Sequence, residues 1–239
     1  MANRADQNDK SIEQQYVDVT YDAIVEIGVD GISAREIGRR VGRSAAAVYW
    51  HFESMDFLIA VASVRFLREY YDDLFDIAQE NPNPLVLNVM GWECLAYYAF
   101  GNIPIFENLF MGDSNMASKA VARYYELFPD ELSRAKDYLY PAITTADLRS
   151  RDRMLLQQAA DMGMISQDAV DYIADCDLLV LGGLFRIYRD SSDNPEKLQE
   201  AAKRFMSIIA RNLGNELLPG NESSKQFLKR YSQSGEIED

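Results

Sequence analysis

The chain has a single histidine, His51, and only two cysteines, Cys94 and Cys176. With so little imidazole, a zinc centre or a histidine-dependent catalytic triad lacks its parts. The cysteines lie far apart, with no CxxC spacing and no histidine beside them. We read them as small buried apolar residues, not as a disulfide or a metal pair. Long apolar runs are also missing. The longest charge-free apolar run of the C-terminal part, Leu178 to Phe185, falls far short of the roughly 20 residues a membrane span needs. The start, Met-Ala-Asn-Arg-Ala-Asp-Gln-Asn-Asp-Lys, is too polar for a secretory core. The expectation is a soluble cytoplasmic protein with no membrane association, metal or cofactor, and no enzymatic activity.

Positive charge is scarce: 24 Lys and Arg stand against 38 Asp and Glu, for a formal net charge of −14. Phosphate is repelled by most of such a surface, so wholesale nonspecific nucleic-acid binding is excluded. With this many acids, pairs such as Asp72-Asp73 and Asp175/Asp177 arise by chance, and we read them as solvated helix faces. One segment departs from the average. Between Gly31 and Phe52, Arg35, Arg39, Arg40 and Arg43 face only Glu36, giving a local formal charge of +3 and leaving −17 for the remainder.

Strand signals are poor, with no sustained period-two alternation and no internal repeat. Helical spacing is nearly everywhere, which predicts an all-α protein, and 48% hydrophobic residues suffice for a real core. Ile12, Tyr16, Val19, Ala23 and Ile27 mark one face of a first helix that ends near Gly28. Ser33-Ala34-Arg35-Glu36 has the form of a capping box, opening a short second helix that buries Ile37 and Val41. Gly42 stops it, and Ser44 caps a third helix from Ala45. Ser54 caps a fourth, running towards Ala78. Two short helices separated by about four residues around a glycine make a helix-turn-helix. Further helices are predicted over 85–100, 104–111, 117–128, 131–140, 149–162, 166–190 and 195–216. This divides the chain into a disordered arm (1–10), a helix-turn-helix domain (11–53), a larger helical domain (54–218) and a flexible tail (219–239).

In a helix-turn-helix the second short helix enters the major groove with its N-terminal residues leading. Here those are Ser44, Ala45, Ala46 and Ala47, small enough for close approach and able to touch a thymine methyl. Polar reading then falls to Arg35, Arg43 and Ser44. Tyr49, Trp50 and His51 follow at the far end, where an O–H or N–H donates to phosphate and sets register. A backbone contact from the helix start at Ser33 adds to this. Val48 and Phe52, four apart, are assigned to the core.

The stretch from Gly31 to Val61 resembles the DNA-binding domain of the tetracycline-repressor (TetR) family of bacterial transcriptional regulators. Gly31, Ile37-Gly38, Val41-Gly42, Ser44 and the Val48-Tyr49-Trp50-His51-Phe52 block carry the resemblance. A weaker match runs from about Tyr16 to about Leu67. The resemblance implies that Arg35 sits at a base-contacting position of some members and that Ser33, Tyr49 and His51 sit at phosphate-contacting ones. Two departures count. Met55 stands where many members carry a phosphate-anchoring lysine, and Glu53 stands where lysine or proline is common.

The resemblance further implies a helical C-terminal domain that binds a small effector and forms a homodimer on a palindromic double-stranded DNA operator. Between Trp92 and Tyr140 the chain is rich in aromatics, and we take Trp92, Tyr97, Phe106, Phe110, Tyr124, Phe128 and Tyr138 as candidate effector-lining residues. If the effector is cationic, Glu93, Glu107 or Glu126 would meet it. Ile173, Leu181, Leu184 and Tyr188, with Phe205 and Ile209, recur at helical spacing in the last two long helices and are the candidate dimer interface. The expected function is a ligand-responsive regulator, a repressor released by its effector. The alternatives are a helical small-molecule-binding or enzymatic protein whose helix-turn-helix does not touch DNA, and a helical adaptor for protein partners.

Overall fold

Serine side chains open each of the first four helices of the computed structural model, which describes residues 10–81, 83–112, 114–132, 147–191 and 194–232. Ser11, Ser33, Ser44 and Ser54 each accept the backbone N–H three residues on, at 3.0–3.3 Å. Each bond satisfies a donor that the helix start would leave unpaired. The helices so begun are α1 (Ile12–Ile27), α2 (Ala34–Val41), α3 (Ala45–Val48) and α4 (Met55–Ser63). A 3₁₀ turn, Val64–Phe66, separates α4 from α5 (Leu67–Glu80), so the predicted continuous helix to Ala78 is two. Then come α6 (Pro84–Gly101), α7 (Ile103–Phe110), α8 (Ser114–Leu127), α9 (Pro129–Leu132), α10 (Leu148–Asp161), α11 (Ala169–Tyr188), α12 (Pro195–Asn215) and α13 (Glu222–Ser232). Asn83 and Asn194 cap α6 and α12 ahead of a proline. The predicted helix 131–140 lies largely outside the described residues. The described residues hold no strand, only an isolated antiparallel bridge between Ile165 and Leu217. The fold is all-α.

Two compact units divide the chain. Unit 1 comprises residues 1–68 and 108–146. In it α4 packs on α1 and α8, α1 on α2, and α2 on α3. Tyr16, Ile37, Phe52, Leu58 and Leu67 are among its largest buried side chains. The buried face of α1 is Tyr16, Val17, Thr20, Ala23 and Ile24, while Ile27 is exposed. Arg65 pins the 3₁₀ turn: its guanidinium donates to Asp18 Oδ1 at 2.8 Å and its Nε to the Tyr124 hydroxyl at 3.0 Å. Tyr21 and Phe128 present ring faces 5.1 and 4.9 Å from that cation.

Unit 2 comprises residues 69–107 and 147–239. Its core is aromatic and perpendicular: Trp92 meets Phe205 edge-on at 5.5 Å, and Phe100 meets Phe185 at 5.4 Å. Within the core, Asp152 Oδ1 accepts from Trp92 Nε1 at 2.7 Å and from Asn88 Nδ2 at 2.5 Å. Asp177 is also buried, not on a solvated face as its neighbour Asp175 is. The segment from Glu222 to Ser232, expected to be flexible tail, is a helix that buries Leu228 and Ser224.

Candidate nucleic-acid interface

The turn between α2 and α3 is built around two glycines. Gly42 takes the left-handed conformation (φ 75°, ψ 31°) that ends α2, and the Arg43 N–H returns to the Gly38 carbonyl at 2.8 Å. A side chain at Gly38 would bring its Cβ within 3.0 Å of the Arg43 and Ser44 carbonyl oxygens. Only glycine lets α2 and the start of α3 approach so closely. Val48 and Phe52 are buried, and Phe52 meets Tyr16 edge-on at 6.2 Å, fixing α3 against α1.

With those two side chains inward, Tyr49 and Trp50 face out. Tyr49 is 54% exposed and Trp50 is 81% exposed, which settles Trp50 as a surface residue. Ala46 is exposed and Ala45 half-buried, while Ala47 packs inside. Two adjacent exposed aromatics form an apolar patch of the kind that contacts a partner. His51 is half-buried, its ring 5.6 Å from Tyr16 and its Nδ1 3.9 Å from Glu13.

The arginines separate into two kinds. Arg39 forks onto Glu36 with bonds of 3.1 and 2.7 Å, and Arg40 reaches both Glu36 and Glu26 at 2.7 and 2.8 Å. These two guanidinium groups, Arg39 first, hold the Glu36 carboxyl down at about 2. Ser33 therefore caps α2 alone: Glu36 is turned to the arginines and does not close the expected capping box, which is instead complete at Ser11 and Gln14 of α1. Arg35 and Arg43 are exposed and form no ion pair among the described residues. They are the cations this face offers to a phosphate or a base.

Residues 17–62 match the family model described as bacterial regulatory proteins, tetR family. Over this segment the chain matches the TetR family. Among solved structures, the fold is similar to RolR bound to resorcinol, at 11% identity and a TM-score of 0.58, covering 92% of this chain and 93% of that one. It is similar also to a TetR transcription regulator from Haloarcula marismortui ATCC 43049, at 18% identity and a TM-score of 0.53, covering 87% and 98%. These are likenesses of fold. No curated protein matches the chain.

Beyond the TetR-family head, the aromatic candidates fall in both units. In unit 1, Tyr124 is buried and stacks on Phe128 at 4.9 Å, while Phe110 is half-buried. In unit 2, Trp92 and Phe106 belong to the core, and Tyr97 is outside on α6. Tyr138 lies outside the described residues. Of the three acids set beside them, Glu107 is paired with Arg189 and Glu126 with Arg123. Glu93 meets only the Tyr231 hydroxyl, at 2.7 Å, among the described residues.

The residues taken for a dimer seam are used inside unit 2. Ile173, Leu181, Leu184, Phe205 and Ile209 are buried and Tyr188 is half-buried. Sequence periodicity finds an apolar face but not whether the chain itself covers it. The exposed apolar side chains of the same helices are Tyr172, Leu179 and Ile187 on α11 and Ile208 on α12. Among the described residues, no helix is long and apolar enough to cross a membrane.

Proposed function

We propose that the protein is a cytoplasmic, non-enzymatic, dimeric repressor that holds a palindromic operator through its helix-turn-helix and releases it when a small effector binds. The observation that carries this is the exposed pair Tyr49 and Trp50 in the same helix-turn-helix as Arg35 and Arg43, exposed cations with no ion pair among the described residues, on a chain of net charge −14. Residues 11–53 act as the reading head. Arg35 and Arg43 contact bases, Ala45 and Ala46 bring the helix into the groove, and Ser33, Ser44, Tyr49, Trp50 and His51 set its register on phosphate.

Effector binding and pairing are assigned to residues 54–218. For pairing, Tyr172, Leu179 and Ile187 lie about two turns apart along one exposed stripe of α11, 74% exposed at Leu179 and 65% at Ile187. Gly183 sits in the same stripe, with open space where a Cβ would be, and admits a close helix crossing. Two copies joined here give two heads for half-sites about one turn of DNA apart. Effector binding favours a conformer of the dimer whose heads no longer match that spacing.

Protection of DNA from nuclease cleavage tests the reading, using the region upstream of the protein's own coding sequence. A symmetric footprint of two half-sites is expected. Uniform protection along the duplex, or none, would overturn it.

A further inference from the structure

We propose that the cavity between α5 and α6 binds an organic cation with an apolar body, its positive centre among Asp76, Glu80 and Glu93 and its body against Tyr97 and Met90. The proposal deepens the effector-binding reading by naming a site and a ligand class. The cavity has a volume of about 410 Å³, within the range of small-molecule sites, and lies wholly in unit 2.

Its lining decides the ligand's charge. Four carboxylates border it (Asp73, Asp76, Glu80 and Glu93), and no lysine, arginine or histidine does. Asp73 accepts the Tyr98 hydroxyl at 2.6 Å and Glu93 the Tyr231 hydroxyl. Asp76 and Glu80 have no hydrogen bond or ion pair among the described residues. The contrast with other acids of unit 2 is sharp: Asp171 and Asp175 face Arg149 and Arg153, and Glu107 faces Arg189. An anionic ligand would be repelled here, and a cation would relieve the mutual repulsion of four like charges.

The remaining walls decide its size and polarity. Tyr97 is 76% exposed and stands perpendicular to Tyr98 with ring centroids 5.1 Å apart, forming an aromatic corner beside the acids. Aromatic faces attract cations and cover apolar bodies. Ile77 and Met90 add apolar wall, and burial pushes the Cys94 thiol up to about 12, so it stays a neutral, soft surface. A bare metal ion fits poorly: among the described residues no three acidic, thiol or imidazole groups converge closely enough to ligate one. A cation spread over an organic frame spans these carboxylates where a small ion does not.

The test is titration calorimetry on the full chain without DNA, using benzyltrimethylammonium and its neutral carbon isostere neopentylbenzene at about 0.15 M salt, where surface attraction is screened. One saturable site per chain is expected for the cation, with the neutral isostere at least about tenfold weaker. The double variant Asp76→Asn/Glu80→Gln should weaken the cation by a similar factor, and Tyr97→Ala severalfold. Asp22→Asn, an exposed acid of unit 1, should change nothing. Equal binding of the two probes, no saturable site, or cation binding untouched by the cavity variants would overturn the proposal. Because DNA is absent, failure here leaves the DNA-binding reading standing, and failure of DNA binding leaves this site standing.

Discussion

Arg40 donates through Nε to Glu36 Oε1 at 2.7 Å, one helical turn back along α2. With Arg39 on the same carboxylate and Glu26 on the far side of Arg40, half of the segment's arginine charge is neutralised within the chain. The local excess of +3 therefore overstates the free positive charge at Arg39 and Arg40 and leaves Arg35 and Arg43 as the cations with no ion pair among the described residues.

Glu36 should accordingly restrain binding. Glu36→Gln removes a negative charge beside the interface and frees two arginines, so operator affinity should rise and its salt dependence steepen by about one in log–log slope. Arg39→Ala should change the slope little. Anisotropy titrations at stepped salt concentrations check both, and a Glu36→Gln variant that binds more weakly would contradict the assignment.

Gly38 sets the spacing of the two short helices. Gly38→Ala sets a Cβ 3.0 Å from the Arg43 and Ser44 backbone and should cost about 1–3 kcal/mol, with loss of operator binding before loss of the helical signal. Thermal melts and operator titrations on the same sample measure this. An unchanged Tm would show that the turn relaxes freely.

The buried acids of unit 2 should make it less stable as pH rises. Burial pushes Asp152 up to about 6 and Asp177 well above the usual carboxylate range, and the Asp152 charge further disfavours the Asp177 anion. Asp152 Oδ2 and Asp177 Oδ1 have no hydrogen-bond partner to favour ionisation. Below about pH 4 both the folded and unfolded chains hold these protons. Above about pH 4 only the folded chain does, so stability falls as pH rises, up to about pH 6 for Asp152 and over a wider range for Asp177. Asp152→Asn/Asp177→Asn should flatten the fall in Tm relative to wild type. A parallel pH profile would rule this out.

Pairing should depend on the outer stripe of α11, not on its buried face. Leu179→Glu with Ile187→Glu should leave the helical content intact and yield monomers by light scattering. Phe205→Ala should instead lower stability by about 3–5 kcal/mol, as loss of a core aromatic does. A double variant that stays dimeric would move the interface elsewhere.

What was legible in the sequence was whatever acts within a turn or two of chain. Ser44 as a cap, Gly42 as a stop, Val48 and Phe52 as core, and Asn194-Pro195 as a helix start depend only on near neighbours, and the structure places them so. Long-range choices were not legible. Glu36 has the right spacing to close a capping box, but two arginines on its own helix compete for it and win. Ile27 fits the helical period of α1, yet Ile24 is the residue that packs. Asp177 is like its neighbour Asp175 in sequence and opposite in burial, because one faces the core and the other faces Arg149. The α5–α6 cavity joins acids and tyrosines more than ten residues apart, so only the fold brings them together.

The most direct test of the central claim is a salt-resolved titration of a labelled duplex from the upstream region with wild type, Arg35→Ala and Tyr49→Ala. Wild type should bind tightly at low salt and weaken steeply. Arg35→Ala should lose at least about tenfold in affinity and about one unit of slope, and Tyr49→Ala should weaken binding evenly across operator variants. If both variants bind this DNA as wild type does, the helix-turn-helix is not the reading head.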